Sequence, residues 1–439
     1  MGSMSETIGG IAVWFQGALG RMALLGALIL ALQVPIVGIY GLVGEREGNR
    51  LVAIAEVRES WGGSQLPQGP VLVVPYRSAE TPWVDPYESS MGVAYAYLRP
   101  HELRIRATMS PIVRTRGIFD VLLYRAAIRF EATFARPDPE ELGVEEASIL
   151  WDAIRVALPS RPSVPDSVAI QGVNVLPTRS HLERYVEAPL QDGADETIAS
   201  WPLAVAYDLD IDGSARFAFE ATAGTTHVEL DSTWPHPKFV GNRLPIRQDV
   251  RADGFTSRWE VTAPVGPSLE WPPVRDPEAP AFGVELIQPV DAYRMTRRSI
   301  KYEFLFTALT LGVFFLIEVF GQYRVHPIQY LMVGSALVLF YLLVLSLSEH
   351  ITFTAAYALA ATGVVLLVSF YARAMFAEGV HVATVSATLS LIYGFLFVLL
   401  ALQDYSLVMG SLGLFVVLAT VMFLTRKIDW YAWSAKLSA

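Results

Sequence analysis

The sequence predicts an α-helical membrane protein with six transmembrane helices and a large, mostly-β, sandwich-like domain on the extracytoplasmic side. Three observations predict it. Hydrophobic residues make up 53% of the chain and charged residues only 17%, against about 25% charged in ordinary soluble proteins; mean hydropathy is +0.39. Six apolar runs are each long enough to cross a bilayer, which takes about 20 helical residues. The charge is concentrated in one stretch: between Gly44 and Tyr302 stand 27 basic and 36 acidic residues, a balance of −9 out of −10 for the whole chain.

In chain order, the opening Met1-Gly2-Ser3-Met4 reads as a remnant ahead of the native start and is set aside. Residues 1–21 form a cytoplasmic N-terminus. The run Met22–Val43 is too long for a signal-peptide core, and Gly44-Glu45-Arg46-Glu47 follows it instead of a small-residue cleavage site. It therefore reads as an uncleaved signal anchor, within which Pro35 is tolerable in a membrane helix.

Residues 44–302 form the soluble domain. From Leu51 to Thr262 the pattern is strand-like: a short buried run at Val71–Pro75, and alternation in Glu102–Arg106, Phe119–Phe134, Ile154–Val156 and Leu203–Phe219. Asp212-Gly213-Ser214 and Ala223-Gly224-Thr225 read as turns, and a helix fits only around Pro139–Glu146. Pro159–Pro165 and Pro264–Pro280 read as loops, the second leading to the membrane block.

Residues 303–425 hold five further spans: Phe304–Phe320, Ile328–Leu347, Ile351–Tyr371, Val382–Leu402 and Ser406–Leu424. Linkers as short as Ser348-Glu349-His350 and Gln403-Asp404-Tyr405 require antiparallel neighbours. Residues 426–439 form a cytoplasmic tail. With both termini inside, the short inner segments carry Arg21, Arg324, Arg373, Arg426, Lys427 and Lys436, and the short outer turns carry no basic residue. The cluster Arg294, Arg297, Arg298 and Lys301 dissents, but long domains cross largely regardless of charge.

Cysteine is absent, which excludes disulfides, thiolate zinc and iron–sulfur clusters. The acidic balance and the lack of a basic run argue against nucleic acid. No G-x-S-x-G elbow, H-E-x-x-H pair, P-loop or dinucleotide fingerprint occurs, so no enzyme, catalytic residue or cofactor is expected.

Several strings together resemble one family. They are Trp61-Gly62 with Gln65, Gly69–Tyr76, Arg116-Gly117-Ile118-Phe119, Trp234–Gly241, Pro289–Tyr293, His326-Pro327-Ile328-Gln329-Tyr330-Leu331, Ser346–His350 and Thr425–Tyr431. In this order and spacing the chain is similar to the CreD family of bacterial inner-membrane proteins. The resemblance implies a multi-pass protein of the bacterial inner membrane with its large domain in the periplasm. It also implies a role in envelope integrity, in a family linked to a two-component regulator and to β-lactam or envelope stress. The family carries no assigned reaction or ligand.

The candidate functional positions are polar groups at span ends. His326 and Pro327 open the third span, where proline suits the first helical turn, with Gln329 and Tyr330 one turn in. Glu349 and His350 close it, about 100° apart on a helix and so unsuited to act on one atom. Glu318 is expected to pair with Arg324 or His326 across the short turn, and Glu303 to favour the N-terminal dipole of its helix. Each has a plain reading as capping or packing, and a functional one because ionisable groups at membrane depth are costly. Trp234 and His236 form a rigid proline-bounded turn suited to anchoring or to a partner. His227 and His236 lack a third ligand for zinc. Asp208–Gly213 imitates the start of an EF-hand, but the twelfth position is Phe219, so a hairpin is the better reading.

Three functions follow as hypotheses. The favoured one is a non-enzymatic envelope protein whose domain binds or senses an envelope component, with membrane lipids and an envelope protein or peptidoglycan as partners. The second is a transporter or lipid-handling protein. The third is a membrane hydrolase using Glu349 or His350.

Overall fold

A computed structural model of the 439-residue chain describes residues 18–77, 92–160, 163–180, 185–192, 196–197, 200–263, 266–267, 281–288, 292–321, 323, 325–376, 378–402 and 405–426. Arg324, most of the proline-rich segment 264–280 and the tail from residue 427 lie outside these. The chain divides into two compact units, residues 52–289 and residues 1–51 with 290–439.

Helix α1 runs Ala18–Ser60, with Pro35 inside it. The expected span ended at Val43 with strands from Leu51; the helix instead continues through both. Residues 44–60 contain no proline, and Ile54 and Val57, three apart, share a helix face that packs on Val121 and Leu123. The helix stops at Gly62 and Gly63, whose φ of 97° and 67° only glycine adopts freely. The Gly63 N–H donates to the Arg58 carbonyl at 2.8 Å, closing the last turn.

In residues 52–289 an eight-stranded sheet runs, in spatial order, Arg247–Arg251, Gly254–Thr262, Thr225–Ser232, Glu102–Arg116, Phe119–Phe134, Leu203–Ser214, Val168–Ile170 and Val173–Val175. All neighbours are antiparallel except Thr225–Ser232 beside Glu102–Met109, which is parallel. A five-stranded sheet (Val93–Leu98, Val71–Arg77, Arg155–Pro159, Tyr185–Pro189, Thr178–Arg179) and a three-stranded one (Arg216–Glu220, Ala281–Leu286, Pro237–Gly241) complete the layers. The period-two pattern explains the faces: Leu103, Ile105, Ala107 and Met109 are buried, while Arg104 and Arg106 between them are exposed. One core draws on these three sheets, including Leu72, Phe130, Tyr207, Phe217, Trp259 and Phe282; a fourth, of two short strands, pairs Gln191–Asp192 with Glu196–Thr197.

Two local expectations shift. The turn expected at Asp212-Gly213-Ser214 falls at Ala215 (φ 58°), and Asp208–Gly213 is strand. The helix expected around Pro139–Glu146 is a single turn, α2 (Pro139–Leu142), capped by the Asp138 side chain and ended by Gly143 at φ 65°.

The other unit contains α3 (Ala292–Lys301), α4 (Glu303–Gly321), α5 (Pro327–Ser348), α6 (Phe353–Met375), α7 (Gly379–Ala401) and α8 (Ser406–Thr425). Among the described residues five helices, α1 and α4–α7, are long and apolar enough to cross a membrane; the apolar stretch of α8, Leu407–Phe423, is shorter. Helix α3 lies within the stretch whose charge sets it apart from the spans. Its Tyr293, Thr296, Ser299 and Ile300 are buried while Arg294 and Lys301 are exposed.

Candidate functional site: buried polar pairs of the helix block

One stripe of α1 packs as a seam against the rest of the helix block. Ile29, Leu32, Ile36, Ile39 and Val43 are buried at alternating spacings of three and four, the stripe of a packed helix. Gly334 on α5 makes room for it: a Cβ there would come within 2.3 Å of the Leu32 Cδ1. Polar side chains of α1 lie along the helix with this seam, and each meets a partner far away in sequence.

At the first turn Arg21 donates to Glu318 of α4. The other Glu318 oxygen accepts the Tyr330 hydroxyl at 2.6 Å. Glu318 is 4% exposed, so both carboxylate oxygens are satisfied inside the block. Twelve residues on, Gln33 donates its amide to Glu303 at 2.9 Å, and the Thr307 hydroxyl donates to the second Glu303 oxygen at 2.7 Å. Glu303 is 1% exposed; it is a buried hydrogen-bonded group, more than a helix-dipole carboxylate.

Near the other end of the seam Glu47 pairs with Arg297 of α3, whose guanidinium also lies 5.7 Å from the Tyr40 ring. The Tyr293 hydroxyl donates to Glu349 at 2.9 Å, and the Arg46 Nε lies 3.9 Å from the same oxygen. Burial first, and then the bond to Glu349, raise the Tyr293 phenol above its ordinary pKa. Arg298 donates to the Leu399 and Leu400 carbonyls at 3.3 and 3.4 Å, occupying acceptors that the end of α7 leaves open.

The expected positions thus separate. Glu318 and Tyr330 meet, but the partner that joins them is Arg21, from the opposite end of the chain; Arg324 lies outside the described residues. His326 and Gln329 form a capping box for α5, with the Ile328 N–H donating to the His326 Nδ1 at 3.3 Å and the His326 N–H to the Gln329 Oε1 at 2.8 Å. Glu349 faces Tyr293 and Arg46, whereas His350 is exposed, so the two adjacent residues diverge. Trp234 is half-buried against the domain core and donates its indole N–H to the Ile287 carbonyl at 3.0 Å, with the exposed His236 ring edge-on at 6.2 Å. Among the described residues no group of three or more His, Cys, Asp or Glu could hold a metal ion.

On the open face of the eight-stranded sheet, Arg125 grips Asp212 with two bonds, 2.8 and 3.1 Å. The hydrogen bond to Arg125 holds the Asp212 carboxyl below the usual carboxylate range. Its folded pKa is depressed, so its stabilising contribution is present above the unfolded-state pKa and is lost as pH falls through the folded one. The Arg125→Gln variant is expected to titrate Asp212 at higher pH, read by carbon-13 NMR of labelled aspartate; an unchanged midpoint would refute the pairing.

Long apolar helices that enclose satisfied polar pairs, with a strand-rich domain tiled by charges, define a multi-pass membrane protein. The family model described as "Inner membrane protein CreD" matches residues 18–431, and the chain belongs to that family. It is 29% identical over 437 residues, covering 94% of both chains, to the inner membrane protein CreD of Escherichia coli (strain K12). Among solved structures, the M1 zinc metallopeptidase from Deinococcus radiodurans aligns with 43% of this chain and 42% of its own length, at 10% identity and a TM-score of 0.23. A point mutant of that enzyme gives 9% identity and 0.24. The chain spans about two fifths of those structures, and at such scores the likeness carries no argument.

Proposed function

We propose that this inner-membrane protein is a non-enzymatic element of envelope integrity, whose strand-rich domain faces the periplasm and binds or senses an envelope component. The carrying observation is the contrast between the two units. In the helix block the carboxylates of Glu303 and Glu318 have both oxygens engaged by fixed partners, which suits a scaffold. The domain keeps a solvent-facing sheet with charged side chains of both signs, the kind of surface that meets other molecules. On this reading α8 is the sixth span and both termini are cytoplasmic, in keeping with Arg21, Arg373 and Arg426 on the inner side. Transport would require the buried carboxylates to exchange partners, and their full engagement favours it less.

The absence of native cysteine makes the orientation directly testable. A single cysteine at the exposed Ser110 is expected to react with a membrane-impermeant maleimide in spheroplasts, and one at Arg373 only after lysis. The reverse pattern would overturn the orientation. Cross-linking of the full chain in envelopes, followed by recovery with peptidoglycan, lipid and protein fractions analysed separately, tests the binding role; no specific partner in any fraction would count against it.

A further inference from the structure

Strand Leu203–Ser214 is paired with Phe119–Phe134 along its whole length on one side, but on the other with Val168–Ile170 only at Val205–Tyr207. Even-numbered residues point their backbone groups to that second side. The Ala204 carbonyl accepts from the Gln171 N–H, the Asp212 carbonyl from the Gln65 amide at 3.1 Å, and the Ser214 N–H donates to Gly63. By this alternation the N–H and C=O of Asp210 face a gap, among the described residues, between the two paired regions.

The register explains why the gap stays open. Extended from Val205↔Ile170 and Tyr207↔Val168, it would set Pro165 opposite Asp210, and proline has no N–H to give. The gap opens into a cleft of about 920 Å³ lined by Ser60, Trp61, Gln65, Leu66, Ser163 and Asp210. The buried indole N–H of Trp61 has no acceptor among the described residues.

Asp210 also stands out electrostatically. The neighbouring strand sets Arg129 opposite Asp208 and Arg125 opposite Asp212, and both pairs are hydrogen-bonded. Opposite Asp210 it sets Ala127. Asp210 is exposed and feels Arg125 only through space. A cross-strand cation is what this position lacks.

We propose that the cleft binds a short extended peptide bearing a primary amine, which pairs its backbone with Asp210 on the open strand edge and its ammonium with the Asp210 carboxylate. This deepens the reading of the domain as a binder of an envelope component and names the chemistry of one ligand.

The test is hydrogen exchange on the full chain in nanodiscs, with acetyl-capped tetrapeptides carrying a central lysine and the same peptides with that lysine acetylated. The lysine peptides are expected to slow exchange around residues 61–66 and 208–212. Half-saturation should be about tenfold weaker with the acetylated set and in Asp210→Asn, an exposed position whose substitution leaves the core untouched. No protection by either set, equal protection by both, or an unchanged Asp210→Asn would each overturn the proposal. A partner recovered by cross-linking alongside such a failure would leave the wider binding role standing, so the two readings fail separately.

Discussion

Replacing Arg21 by Leu is expected to destabilise the helix block by about 3 kcal/mol, the cost of leaving one member of a buried ion pair without the other. Among the described residues Glu318 would keep only the Tyr330 hydroxyl, with its other carboxylate oxygen left without a donor. The loss should appear as a lower thermal midpoint in nanodiscs and a lower steady-state level in membranes. The double variant Arg21→Leu with Glu318→Leu should recover most of it, because neither charge then remains to be solvated. If Arg21→Leu alone matched the parent, the pair would be a surface contact of no energetic weight and the view of α1 as part of the block would fail.

Trp259→Ala is expected to cost about 3–5 kcal/mol in the strand-rich domain, the range for removing a large buried aromatic. Trp259 is 1% exposed, and its ring meets Phe239 at 6.0 Å and Phe282 at 5.8 Å, tying the eight-stranded sheet to the three-stranded one. Limited proteolysis should then cut within residues 52–289 at temperatures where the parent resists, while α4–α7 stay protected by the membrane. Trp259→Phe keeps most of the ring area and should lose much less. Equal resistance of Trp259→Ala and the parent would mean that the sheets are not joined through this side chain.

Sequence periodicity located most of these elements and missed specific ones for physical reasons. The spans were legible because about 20 apolar residues in a row have few other uses. The extension of α1 was not, because Gly44–Arg50 carries the charges expected at a membrane exit, and such charges do not stop a helix. The Asp208–Gly213 segment showed strand alternation and turn residues together; the strand prevailed because Leu209 and Ile211 fill the core. The buried pairs were the least legible. Glu318 had nearby candidates in Arg324 and His326, whereas Arg21 is 297 positions away, and nothing in local spacing reports a contact over that distance. One signal was available: Gln33 is a polar residue inside the otherwise apolar run Met22–Val43, and that misplacement marks a helix that touches other helices.

The parallel pair at the centre of the eight-stranded sheet joins residues 123 positions apart in sequence. Loop closure over that length is slow, and folding rates fall as such distant contacts dominate. A hairpin Glu102–Phe134 that formed before Ser232 was in place would leave the outer edge of its first strand unpaired. Arg104 and Arg106, exposed on that strand, are charges of the kind that oppose edge-to-edge association, so they suit such an unfinished edge as well as the finished face.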